Sequence, residues 1–200
     1  MIKLFLTDVD GCLTDGGMYY TAEGEVMKRF CVYDGMGMVC LQQAGIPCGI
    51  LTSENSLVVK ARAEKLKLQY LYLGVGSKVG KSVTRYDFSL SASRGISTEL
   101  PPMTKLEAAK EICDALGITL ADVCYVGDDI NDLDLLRAVG YPCCPPNARP
   151  EVKTVTQVAG AKADIRILNT PGGQGAIREI TDQIRLKAEQ QREITTIKQP

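Results

Sequence analysis

The stretch LFLTDVDGCLTDG, residues 4–16, sets the frame for the rest of the chain. Ile2 to Leu6 form a short apolar run that suits a strand buried on both faces of a parallel sheet. The run stops at Asp8, a second carboxylate follows at Asp10, and Gly11 permits a sharp turn just beyond. Residues two apart in extended chain share a side, so Asp8 and Asp10 are expected to face the same way. Open α/β sheets place ligands at the carboxyl ends of their strands, where paired acids suit a divalent cation and a phosphate. Asp is also common in the turns that follow strands, and DxDG alone does not choose between these readings.

The pattern recurs downstream. IPCGILT (46–52), LQYLYLGV (68–75) and ADVCYVGDD (121–129) read as three further buried strands. Helices are expected at about 35–43, 55–67, 105–116 and 131–139, with Gly45 and Gly117 as stops, and a weaker strand-turn-helix pattern runs to about 188. Residues 18–31 read as a β-hairpin, with a polar turn at Ala22–Glu25 between aromatic and β-branched arms. Strands alternating with helices predict an α/β fold, a Rossmann-like three-layer parallel sheet. Residues 1–188 are expected to form one domain. Within it, 77–103 is an insertion rich in Ser, Gly and Arg, with strand character around Tyr86 to Leu90. Residues 189–200 are a polar tail expected to fray.

Composition narrows the chemistry. A net charge of −1, a pI near 5.6 and dispersed basic residues argue against a nucleic-acid surface. Lys3 and Asp8 interrupt any signal-peptide core, and no apolar run nears the roughly 18 residues that span a membrane. The eight cysteines form no CxxC pair and mostly sit in apolar runs, as reduced thiols of a cytoplasmic protein would. There is no histidine, which excludes serine–histidine triads, histidine phosphatases and HExxH metalloproteases.

Each expected strand delivers polar groups at its carboxyl end: Asp8 and Asp10, then Thr52 and Ser53, then Asp128, Asp129 and Asp132. Lys105, at the start of a helix, could reach the same crevice. Acids gathered at one point repel each other unless a cation is present. Oxygen ligands without histidine or thiolate favour Mg²⁺. A hydroxyl, a lysine and that ion would together hold the oxygens of a phosphoryl group.

With DVDGCLT, Thr52, Lys105 and GDDIND in order, the chain resembles the haloacid dehalogenase superfamily of phosphatases. Thr14, Asp15, Gly16 and Tyr19, with the late GGQGAIRE, make it similar to the capless group acting on phosphorylated 3-deoxy-ulosonic acids. That group includes the KDO 8-phosphate and the KDN or sialic acid 9-phosphate phosphatases. The resemblance covers about 1–76 and 104–188, and the insertion departs from it. For the family's lysine, Lys105 fits the helix start, whereas Lys78 fits only the distance from the preceding strand; Lys105 is preferred.

The resemblance implies that Asp8 attacks phosphorus to give an aspartyl-phosphate, while Asp10 serves as acid and then base. It implies Mg²⁺ held by the Asp8 carboxylate, the Asp10 carbonyl and Asp128, with Thr52, Ser53 and Lys105 on the phosphoryl group. Asp129 and Asp132 would orient these ligands. Glu54, Arg62 and Lys65 match residues that KDN 9-phosphate enzymes place around substrate, and Glu54 stands where KDO 8-phosphate enzymes tend to carry arginine. A nine-carbon substrate is therefore the expectation. Family members close the uncapped site by forming a homotetramer. The 18–31 hairpin is the expected assembly surface, with Arg178 of GGQGAIRE near the substrate.

Rival readings are weaker. GVGSKVGKS misses P-loop spacing, since Gly74 leaves five residues before the GK pair and Gly76 leaves three, where four are needed. Cys143 and Arg149 have cysteine-phosphatase spacing, but Pro145 and Pro146 lack the N–H groups such a loop offers phosphate. DDINDLD lacks the glycine and closing glutamate of a calcium loop. A catalytically silent assembly module tied to sialic acid or CMP-sugar metabolism is the alternative, and retention of Asp8, Asp10, Lys105 and Asp128 speaks against it.

Overall fold

Leu4, Phe5 and Leu6 are wholly buried in β1 (Leu4–Thr7), each apolar side chain stabilising the fold by about 1.5–3 kcal/mol. The computed structural model describes residues 1–76, 82–88, 96–154 and 164–197. After β1 come β2 (Tyr19–Thr21), β3 (Gly24–Met27), α1 (Val32–Gln43), β4 (Cys48–Thr52), α2 (Leu57–Lys65) and β5 (Tyr70–Leu73). Then follow β6 (Val83–Asp87), β7 (Ile96–Leu100), α3 (Lys105–Leu116), β8 (Val123–Val126) and α4 (Leu133–Ala138). The chain continues through β9 (Tyr141–Cys144), α5 (Pro150–Lys153), β10 (Arg166–Ile167) and α6 (Ala176–Ile197).

Among the described residues the main sheet has eight strands, ordered β10-β9-β8-β1-β4-β5-β6-β7. The six from β10 to β5 run parallel, and β6 and β7 add antiparallel at the edge. The strand order reverses at β1, between β4 and β8, which is the switch point where such sheets open a crevice. One face of the sheet packs on α1, α2 and α6 through Met38, Leu41, Val59, Ile177 and Ile180. The other packs on α3, α4 and α5 through Ala108, Ile112, Leu135, Leu136 and Val152. This is the α/β three-layer fold the pattern predicts, with only β2, β3 and α1 between β1 and β4.

Several boundaries differ from the sequence reading. α1 begins at Val32, not Gly35. The glycines there mark close packing: a Cβ on Gly37 would meet Thr181 Oγ1 of α6 at 2.3 Å. The expected insertion contributes an ordered hairpin, β6–β7, fastened to α3 where Arg85 and Tyr72 both bond Glu111 Oε1. Its residues 77–81 and 89–95, Lys78 and most of the P-loop-like stretch among them, lie outside the described residues. The last helix passes residue 188 and runs to Ile197, because 189–197 hold no Gly or Pro to stop it. The C-x5-R segment is a tight turn, with Cys143 buried in β9 and Ala148 N–H donating to Pro145 O.

Candidate active site

β1 ends at Thr7, and Asp8 N–H still donates to Val126 O of β8 at 2.9 Å, so Asp8 sits at the mouth of the β1–β8 crevice. Its Oδ1 accepts the Val9 N–H at 2.7 Å, and its Oδ2 lies 3.0 Å from Lys105 Nζ. Alternation stops with the strand, so the following turn, not the pleat, sets the place of the Asp10 carboxylate. Gly11 makes that turn at φ +82°, and a Cβ there would meet Asp128 Oδ2 at 2.0 Å. The Gly11 carbonyl accepts from Asn147 Nδ2 at 2.9 Å, and Asn147 Oδ1 accepts the Gly172 N–H at 2.7 Å. The GGQG segment is thereby fixed beside the first loop.

Lys105 reaches Asp8 because α3 is pinned at both ends. Thr104 and Glu107 form a reciprocal capping box, and Gly117 closes the helix at φ +63°. The Lys105 ammonium is also 2.6 Å from Asp132 Oδ1. The same oxygen accepts from the Tyr125 hydroxyl, while Asp132 Oδ2 accepts the Asp128 and Asp129 N–H groups at 3.0 and 3.2 Å. Asp132 thus orders the loop and Lys105 together. Burial opposes the Lys105 charge, but Asp8 and Asp132 outweigh it and hold the ammonium above its usual range.

The carboxylates of Asp8, Asp128 and Asp132 bring one oxygen each within 4.8 Å of one another. Asp132 directs both oxygens at protein donors, Asp8 gives one oxygen to the Val9 N–H and the other to Lys105, and Asp128 is the least engaged of the three. Burial pushes Asp8 up to about 7 against the pull of Lys105. Burial and then the charges of Asp8 and Asp132 push Asp128 up to about 8. Two oxygen-donor acids raised chiefly by burial, with acidic neighbours adding to it, fit a hard divalent cation.

Thr52 is buried at the end of β4, and Ser53 Oγ accepts from Asn131 Nδ2 at 2.9 Å, joining the second strand end to the GDDIND loop. Asp129 caps the short turn before α4 through the Ile130 N–H. Glu54 is exposed one residue beyond Ser53. The structure does not bring the other expected substrate residues to the carboxylates within this chain. Arg62 donates to Cys31 O and lies over Phe30, Lys65 is exposed in the last turn of α2, and Arg178 pairs with Asp182 at 2.6 Å.

Lys28, at the foot of the hairpin, escaped the sequence reading. Its Nζ lies 2.6 Å from both Asp10 Oδ1 and Glu25 Oε1. Burial opposes its charge, yet these two acids outweigh it and raise it above its usual range. Two adjacent basic residues closing a hairpin arm were the only hint. Tyr125 and Asn131 were missed too; both lie inside quoted motifs, and only the fold shows what they touch.

A sequence profile of haloacid dehalogenase-like hydrolases matches residues 80–164. The chain is 31% identical over 183 residues to the 3-deoxy-D-manno-octulosonate 8-phosphate phosphatase of Haemophilus influenzae, covering 92% of this chain and 82% of that one. The cobalt-bound structure of the Haemophilus influenzae phosphatase aligns with a TM-score of 0.72 at 30% identity, over 94% of this chain and 88% of that one. The Moraxella catarrhalis phosphatase, in complex with magnesium, phosphate and KDO, aligns with a TM-score of 0.72 at 32% identity, over 98% and 94% of the two chains.

Proposed function

Since the chain belongs to the haloacid dehalogenase superfamily and is a phosphatase of that kind, a phosphoric monoester hydrolase, we propose that it removes phosphate from a phosphorylated 3-deoxy-ulosonic acid with Mg²⁺ as cofactor. The observation that carries this reading is Asp8, held by the Lys105 ammonium and within reach of the Asp128 carboxylate.

Asp8 is the nucleophile, and its attack on phosphorus gives an aspartyl-phosphate as the sugar alkoxide leaves. Asp10 protonates that alkoxide and then takes a proton from the water that hydrolyses the intermediate. Lys105 and the hydroxyls of Thr52 and Ser53 bind the transferring group. Asp8, the Asp10 carbonyl and Asp128 hold the Mg²⁺, which supplies positive charge to the phosphoryl oxygens when bound. Asp129 and Asp132 keep the loop and the lysine in place.

KDO 8-phosphate is the substrate named for both relatives, and the sugar acid of this chain is drawn from the same class. Exposed Glu54 at the crevice rim favours a second reading, a nine-carbon acid such as KDN 9-phosphate. Arg62, Lys65 and Arg178 contribute to substrate once copies assemble. The surface for a homotetramer is the hairpin and its surroundings, where Tyr20, Val26, Met27, Val32, Tyr33 and Leu57 are exposed. Eight free cysteines agree with a reducing cytoplasm, and among the described residues no helix is long and apolar enough to cross a membrane.

The test is phosphate release from KDO 8-phosphate, KDN 9-phosphate and N-acetylneuraminate 9-phosphate with and without Mg²⁺. Turnover is expected to require both the metal and Asp8, vanishing in Asp8→Asn. Preference for a nine-carbon ester would favour the Glu54 reading, and silence on all three would sink the proposal.

A further inference from the structure

The two basic residues at the foot of the hairpin have opposite fates. Arg29 pairs with Asp15 at 3.1 Å, and its side chain is 58% exposed. The Lys28 side chain is 0% exposed and sits between two acids at 2.6 Å each. Beyond it, Glu25 Oε2 accepts from the Ser56 hydroxyl at 2.6 Å, and Ser56 is the residue that precedes α2. A buried polar chain therefore runs Asp10–Lys28–Glu25–Ser56, from the first loop through the hairpin to the loop after β4. A surface ion pair contributes little, whereas a buried lysine is retained only with charged partners in good geometry.

The contacts on Asp10 are one-sided. Lys28 Nζ at 2.6 Å and Thr14 Oγ1 at 3.5 Å both approach Oδ1. Among the described residues no hydrogen bond is made to Oδ2.

We infer that Lys28 is a positioning residue for the reaction: it fixes one oxygen of Asp10 and so assigns proton transfer to the other, Oδ2. This rests on the phosphatase reading and deepens it. In the first step the Oδ2 proton passes to the sugar oxygen as its bond to phosphorus breaks and the Asp8–phosphorus bond forms. In the second, water attacks phosphorus, its proton passes to Oδ2, and the Asp8–phosphorus bond breaks to release phosphate. Without Lys28 the Asp10 side chain, carried on a turn, is free to rotate away from both reacting oxygens. A misplacement of about 1 Å can cost about 10²-fold in rate.

The experiment compares single turnovers, with Mg²⁺, on KDO 8-phosphate or KDN 9-phosphate and on p-nitrophenyl phosphate, whose leaving group departs without a proton. Lys28→Met is expected to slow release of the sugar in the first turnover about 10²-fold, but release of p-nitrophenol by no more than about threefold. An equal loss on both esters, as unfolding would produce, or no loss on either, overturns the inference. Glu25→Gln, which keeps the shape of the side chain and leaves Lys28 in place, is expected to show the same split at smaller size. It decides the matter if Lys28→Met does not fold, and an even loss there again overturns the inference. Wild-type silence on every ester overturns the phosphatase reading and this inference with it. Wild-type turnover with an unsplit variant overturns this inference alone.

Discussion

Lys105 and Lys28 are each buried between two carboxylates, yet they hang from opposite kinds of scaffold. Lys105 rises from the first turn of a helix capped at both ends and packed on the central strands. Lys28 closes a two-stranded hairpin that stands apart from the main sheet and exposes Tyr19, Tyr20, Val26 and Met27. The floor of the site, which holds Asp8, is part of the central sheet. The roof, the hairpin that reaches Asp10 through Lys28, is attached by the polar chain through Glu25 to Ser56 and is expected to open locally. Asp8 and Asp10, two residues apart in sequence, are thus held by different elements.

The harshest way to break this contrast is Lys105→Met. It strands Asp8 and Asp132 as buried, unpaired acids, and a loss of about 3–5 kcal/mol is expected in urea unfolding. Turnover should fall about 10³-fold, since the variant also removes a donor to the transferring group. If Lys28→Met proves as destabilising, floor and roof are not different scaffolds.

A milder probe is pH without metal. The carboxyls of Asp8 and Asp128, raised to about 7 and about 8 from 3.8, bind protons more tightly in the folded chain than in the unfolded one. Their contribution to stability is thus full below the unfolded value and is lost as pH rises through about 8. Melting of EDTA-treated protein should show Tm falling across that window. Added Mg²⁺ should restore it by an amount that grows with pH, because the ion needs both groups ionised. A Mg²⁺ increment that shrinks as pH rises would contradict the assignment of these two acids as ligands.

The gentlest test touches only the far anchor of the roof. Ser56→Ala removes one hydrogen bond to Glu25, worth about 1 kcal/mol. Hydrogen exchange should quicken at the hairpin amides of Gly24–Met27 and stay unchanged in β1. Uniform quickening would mean that the hairpin does not open on its own.

The floor was legible in the sequence and the roof was not, for physical reasons. Asp8 ends an apolar run, GDDIND ends another, and Gly117 marks the end of the helix that carries Lys105. Each is a local signal. Lys28 is buried by acids that the hairpin turn and the loop after β1 bring to it, and no periodicity records that meeting. The β6–β7 hairpin was read as an irregular insertion because its strands are only half-buried and lack alternation; what orders them is the open edge of β5 and the Glu111 side chain. Glycines that admit another helix resemble glycines that end one, so Gly35 and Gly37 hide the start of α1 at Val32. The expected substrate residues Arg62, Lys65 and Arg178 lie away from the carboxylates of this chain, on α2 and α6.

The central place of β1 has a consequence for how the chain is made. Its edge partners are β4 and β8, so that Leu4 pairs with Val123. On the ribosome the apolar segment Leu4–Leu6 emerges well before β8, and one edge has no mate until the chain has been translated as far as Val126. Throughout that interval it is a bare, sticky strand, and a chain stalled before β8 is more apt to aggregate than to fold.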